Sequence, residues 1–297
     1  MILHRYHEEM NTGLNMKRAV CLLLTVFLTS AGRSSSIRSG SPVPAPDRSL
    51  DTAAYISKGL PAPDRDWGGD DYGRALAVLQ ALGNEDAYSL PRRFSPRSKD
   101  VFACMVSDSN LDIAHSTSLP VGLRLRQSLA EFDATGKILS VYAGPTTPAA
   151  TFDDELVDLM ATLLRQAVST CQLLDEFLQT LPPAERSTPA RTEGFAQVRQ
   201  GMANVVSGAL TTLTESALYR VPPRVRLAQA LAKHLPDLYS YIPTGTQQEV
   251  RVRLVKLATD AEDSELKEAV TSISKSLERR VAEPQAVRPW KQERRER

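Results

Sequence analysis

Between residues 152 and 218 the chain reads as two long helices broken by a proline pair. In the first arm, about 152–181, Leu156, Met160, Leu163, Ala167, Cys171, Leu174, Leu178 and Leu181 recur in steps of three and four, the period of one helical face. Leu159, Leu164, Val168, Leu173 and Phe177 widen the stripe, which predicts contact with more than one neighbour. Thr151 is placed to cap this arm. Asp153, Asp154 and Glu155 fall in its first turn, where carboxylates suit the unpaired N–H groups and the helix dipole. Pro182-Pro183 ends it, because proline lacks the ladder donor and disfavours helix in the residue before it.

The second arm, about 189–218, restarts at Thr188-Pro189, a capping residue followed by a first-turn proline. Phe195, Val198, Met202, Val205, Ala209, Leu213 and Ala217 keep helical spacing. No charged residue occurs from Gln200 to Thr214, and Gly194, Gly201 and Gly208 recur seven apart. An interior helical glycine costs about 1 kcal/mol relative to alanine, so the pattern predicts a closely approaching helix. The missing charge predicts burial on all sides, making 192–218 the most buried long helix. Gln200, Asn204, Ser207 and Thr211 fall on one stripe with Gln197 and Thr214, which makes them the candidate lining of a polar pocket. Buried hydroxyls can bond the carbonyl four residues back, whereas buried Gln200 and Asn204 would need partners from elsewhere.

Shorter helices are predicted on both sides of these arms. One runs from an Asp70 cap to Leu82, and one from Ser95-Pro96 to Met105. Another starts at Pro120 and continues to Tyr142 with a break at Gly136. Pro222-Pro223 opens a helix that Pro236 stops near Leu235. Thr246 with Glu249 matches a capping box for a helix to about Thr259, and Ser264 opens the last one. No stretch alternates as a strand does. The expected fold is therefore all-α, a multi-helix bundle built around an antiparallel hairpin of the two long arms. An irregular α-solenoid-like array is the alternative, although no signature repeats at a fixed period.

The 297 residues are 42% hydrophobic, enough for one sizeable core, placed at 53–283. Lys17-Arg18, the apolar run Ala19–Thr29 and the small residues to Ala31 read as a signal peptide. It covers 1–31, with Met16 as a candidate true start, and implies an exported, periplasmic or secreted protein. The apolar run is too short for a membrane span, and no span is expected in the mature chain. Residues 32–52, rich in serine and proline, read as a flexible tether, and 284–297 as a disordered basic tail. Cys104 and Cys171 remain after export, either as a disulfide or as two packed thiols.

Charge excludes one function class. Lys+Arg at 36 against Asp+Glu at 35 gives no global field for nucleic acid, and 6% aromatics offer few stacking surfaces for bases. The acidic run Asp64, Asp66, Asp70, Asp71 fails as a calcium loop, because counting twelve from Asp64 reaches Ala75 where a glutamate is needed. No phosphate loop, zinc-protease pair, Glu-x-x-His motif, haem-attachment motif or nucleophile elbow occurs. No cofactor and no metal is therefore expected. The predicted role is a non-enzymatic binding or structural module of the cell envelope, with an unidentified protein or small-molecule partner. The alternative is an enzyme with a dispersed site near His115 or His234.

Overall fold

The computed structural model describes residues 67–83, 91–94, 98–107, 118–143 and 151–282. The expected signal peptide (1–31), the expected tether (32–52), His115 and the expected basic tail (284–297) lie outside them. The described residues form helices α1 (Gly69–Gly83), α2 (Lys99–Met105), α3 (Val121–Tyr142), α4 (Asp153–Thr180), α5 (Pro183–Arg186), α6 (Pro189–Thr214), α7 (Val221–Leu238), α8 (Thr244–Asp260) and α9 (Ser264–Ala282), and no strand is found among them. The all-α class is as expected. No helix among the described residues is long and apolar enough to cross a membrane.

Helix α4 is the centre of the packing. Its principal neighbours are α3 and α7, and α6 touches it over a smaller stretch. Beyond them α1 covers α3, while α9 lies on α7 with α8 beside it. The wide stripe read from the sequence is explained: Leu156, Leu159, Leu163, Leu164, Ala167, Cys171, Leu173 and Leu174 are all buried, facing several partners at once. One apolar cluster joins Trp67 on one side to Leu277 on the other. Helices α3 and α4 run antiparallel, pinned by a 2.8 Å hydrogen bond between Ser128 and Thr170 and by Arg124, which pairs with Glu176 further along.

Several boundaries differ from expectation for identifiable reasons. Helix α1 opens at Gly69 rather than Asp71's neighbour Asp70, and Asp71 Oδ2 accepts the Gly68 N–H at 2.9 Å. A Cβ on Gly69 would lie 2.7 Å from Ala130 Cβ, so α1 crosses α3 where a side chain has no room. Helix α3 passes through Gly136 without a break. Helix α7 carries Pro236 in its last turn and continues to Leu238, because a missing donor that near the end removes one bond without ending the ladder. Helix α8 begins at Thr244 after Pro243, two residues before the expected cap. The second long arm ends at Thr214, not 218: residues 215–219 turn, and Pro222-Pro223 then starts α7.

The largest correction concerns which arm is buried. Gly194, Gly201 and Met202 of α6 are buried, but Gln200, Thr211 and Thr214 are exposed and Gly208 is half-buried. Helix α4, with three acidic residues in its first turn, is the more buried of the two.

Candidate functional site

The start of α4 gathers three consecutive buried carboxylates. Phe152, at the N-cap position, is buried with its ring edge-on to Tyr142 at 5.3 Å. That contact draws the helix start into the core. Asp153 and Glu155 are 0% exposed and Asp154 is 8% exposed. Thr151 does not cap the helix; the Asp154 N–H instead donates to Asp153 Oδ1 at 2.9 Å. Carboxylates in such a place are costly unless charged partners and hydrogen bonds compensate them.

Four arginines from two distant stretches of the sequence pair with them and with Asp158. Arg220, at the end of the turn after α6, grips Asp153 in fork geometry, with Nε 2.7 Å from Oδ2 and Nη2 2.7 Å from Oδ1. Its backbone N–H adds a 3.2 Å bond to Oδ2, and Nη2 also reaches Asp154 Oδ2 at 2.6 Å. Arg226 of α7 bonds the other Asp154 oxygen at 2.6 Å and lies 3.6 Å from Asp158. The segment 91–94 also docks on α4. Tyr142 Oη donates to the Pro91 carbonyl at 2.9 Å, and the Arg93 N–H donates to Glu155 Oε1. Arg93 pairs with Asp158, and Arg92 Nε lies 3.4 Å from Glu155. The cluster thus ties 91–94, α4 and the start of α7 into one unit.

The proton affinities follow this geometry. Burial alone would push the Asp153 carboxyl up, but the hydrogen bonds and charge of Arg220 hold it below its ordinary value. Arg220 is raised in return, chiefly by its hydrogen bond to Asp153. Burial, with Glu155's charge behind it, pushes Tyr142 far above the usual phenol range. Arg93 is lowered by burial and by Arg226, with Asp154 and Glu155 opposing.

The residues singled out in the sequence are not gathered here. Gln200 and Thr211 are exposed on α6 and Asn204 and Ser207 half-buried, so the four do not line a fully buried pocket. Gln200 Nε2 donates to Asn204 Oδ1 at 3.1 Å, and Thr211 Oγ1 donates to the Ser207 carbonyl at 3.0 Å. Arg253 of α8 reaches Thr211 Oγ1 at 2.8 Å, so the stripe satisfies itself at the surface. Cys104 and Cys171 are both buried, as two thiols rather than a bridge. Burial pushes the Cys104 thiol up, and Asp100 adds to the effect. The end of α2 is fixed on Arg165, which donates to the Val106 and Ser107 carbonyls at 3.1 and 2.9 Å. Cys171 sits six residues further along α4, about 9 Å at the helical rise. His234 is half-buried on α7.

The three carboxylates are evident in the sequence, but their partners, 62 to 72 residues away along the chain, are not. Among the described residues no group of three or more His, Cys, Asp or Glu is placed to hold a metal ion. The cluster's carboxylates face guanidinium groups instead, an arrangement suited to holding elements together. No family model, curated protein or solved structure matches this chain.

Proposed function

We propose that the chain is a non-catalytic helical interaction module that works after export. The observation that carries this reading is the pairing at the start of α4. Each of the carboxylates Asp153, Asp154, Glu155 and Asp158 is engaged by at least one arginine. A carboxylate that works as a general acid or base needs access to a substrate proton and a tuned proton affinity near the working pH. Asp153 is shifted the other way, because the hydrogen bonds and charge of Arg220 hold its carboxyl below the ordinary value. This charged cluster is thereby given to holding three elements in register.

Under this reading contact with a partner falls to surfaces away from the cluster, and the uncharged outer stripe of α6 is the face it names. The test is crosslinking in the native envelope, with a photoreactive group at Thr211. A stoichiometric adduct of defined mass supports the module. A small molecule turned over by the purified protein, with turnover lost in a folded Asp154→Asn variant, overturns it. Export rests on residues 16–31 and is tested separately: the mature N-terminus should lie near Gly32, and an intact Met1 or Met16 terminus on cytoplasmic protein refutes it.

A further inference from the structure

Helix α8 is apolar on two opposite sides. Val250, Leu254 and Leu257 are buried against the body of the protein, whereas Val252 and Val255 are 64% and 66% exposed. The two valines do not stand singly. Gly245, Gln248, Val252, Val255 and Thr259 are all exposed and recur in steps of three, four, three and four, so they share one ridge pointing away from the core. None of the five is charged, and a Cβ added at Gly245 would meet nothing within 4 Å. Charge is confined to the flanks. The exposed Glu249 and Lys256 follow one edge of the ridge, and Arg251 and Ala258 follow the other. Arg251 is turned to its own chain, lying over the Tyr239 ring at 5.4 Å.

An uncharged ridge with this period is the seam by which two helices pack, and the charges beside it select the partner and its direction. A second α8 laid parallel and in register would set Arg251 of each copy against Lys256 of the other, like charge on like along both edges. Laid antiparallel about a two-fold axis, Val252 meets Val255 of the other copy and Gln248 meets Thr259. Glu249 of each copy then faces Lys256 of the other, so opposite charges meet twice. We propose that α8 is a self-association surface on which a second copy of this chain docks antiparallel, Val252 against Val255 and Glu249 against Lys256. The ridge from 245 to 259 is about 21 Å long at the helical rise. One helix pair of that length buries less than the standard interface of about 800 Å² per partner, so the dimer is weak and forms at high protein concentration. The ridge is separate from the outer stripe of α6, and docking on it does not depend on a partner at Thr211.

Sedimentation velocity on the full chain tests this over a roughly hundredfold range of concentration reaching the high micromolar. The parent should shift from monomer toward dimer as concentration rises. Glu249→Lys and Lys256→Glu each set like charges together at both edges, so each variant alone should stay monomeric where the parent is half dimeric. An equimolar mixture of the two restores both opposite-charge pairs and should associate at least as well as the parent. Circular dichroism of each variant checks that the fold is kept. A parent that is monomeric throughout overturns the proposal. So do single variants that dimerise like the parent, or a mixture that stays monomeric. Stronger dimerisation of Lys256→Glu alone marks the parallel arrangement and overturns the antiparallel one. A photoreactive group at Val252 that captures a different protein in the native envelope, with the parent monomeric, gives the ridge to a foreign partner and overturns it too.

Discussion

Helices α4 and α6 invert the usual relation between charge and burial. Helix α4 opens with Asp153-Asp154-Glu155 and buries all three, while α6 carries no charge from Gln200 to Thr214 and turns Gln200, Thr211 and Thr214 to solvent. The difference lies in what surrounds each helix. Helix α4 has α3 on one side, α7 on the other and four arginines converging on its first turns. Helix α6 has shorter contacts with α4, α7 and α8. Charge within a helix therefore reports burial poorly once partners arrive from distant sequence. The side chains themselves show where α6 is closed: Met202, Val206, Ala209, Leu210 and Leu213 are buried on its inner side.

The sharpest way to break this contrast is thiol reactivity. Cys171 on α4 is 1% exposed, whereas a cysteine introduced by Thr211→Cys would sit on the open side of α6. In the native protein Thr211→Cys should label at the rate of an exposed thiol. Cys171 should label only on local opening, slower by roughly a thousandfold or more. Unfolding without reductant should then release the thiols of both Cys104 and Cys171, counted apart from Cys21. Equal native rates at 171 and 211 would end the distinction, and finding no thiol after unfolding would restore the bridge.

The next largest effect is expected at Arg220. Arg220→Ala strips the 0% exposed Asp153 of its fork-shaped partner. Breaking a fully buried pair from one side costs about 3–5 kcal/mol, and the 58% exposure of the Arg220 side chain lowers the expectation to about 2. Urea midpoints measure it. The same pair sets a pH signature. Because the folded Asp153 carboxyl is held low, its contribution is complete above the ordinary carboxyl value of about 3.9 and is lost as pH falls through the lowered folded value. The stability gap between parent and Asp153→Asn should therefore be constant at neutral pH and narrow below about pH 4. A gap that instead narrows between pH 6 and 8 would assign the linkage to another group.

Much of the fold was legible because apolar period survives without knowledge of neighbours. The arms at 153–180 and 189–214 emerge from leucine spacing and from Pro182-Pro183, and Pro189 marks a helix start correctly. Two things were not legible. Helix ends that depend on side chains from elsewhere, such as the turn at 215–219 that delivers Arg220 to Asp153, carry no local signal. The cluster was half visible: three consecutive acids announce a helix start, but Arg92, Arg93, Arg220 and Arg226 join them only through the tertiary fold. The polar stripe on α6 misled for the opposite reason, since uncharged side chains with i to i+4 bonds look alike whether they face a cavity or water.

The glycines of α6 provide a finer test of its inner and outer sides. Gly201 is buried and Gly208 half-buried. Leucine at 201 must enter packed surroundings, costing about 1–3 kcal/mol by overpacking. At 208 the partial opening leaves room for adjustment, and the better helix propensity of leucine returns up to about 1 kcal/mol, so a smaller loss is expected. If denaturant midpoints show 208 to be the costlier site, the inner face of α6 has been misassigned.

The smallest effect is expected on the outer stripe itself, and its smallness carries information. Thr211→Ala removes the 2.8 Å bond from Arg253 and the bond to the Ser207 carbonyl, both on exposed side chains. Water can replace each partner, so the loss should stay within about 0.5 kcal/mol, as for most surface substitutions. The same holds for Gln200→Ala, which removes only the surface bond to Asn204. These two variants should therefore unfold at the parent's urea midpoint at every protein concentration. A loss above about 1 kcal/mol would contradict exposure of the stripe. If that loss also grew with protein concentration, the stripe would be covered by another molecule in solution, because only association makes stability depend on concentration. The contrast with α4 would then be one of partner identity, with α4 buried by its own chain and α6 by another.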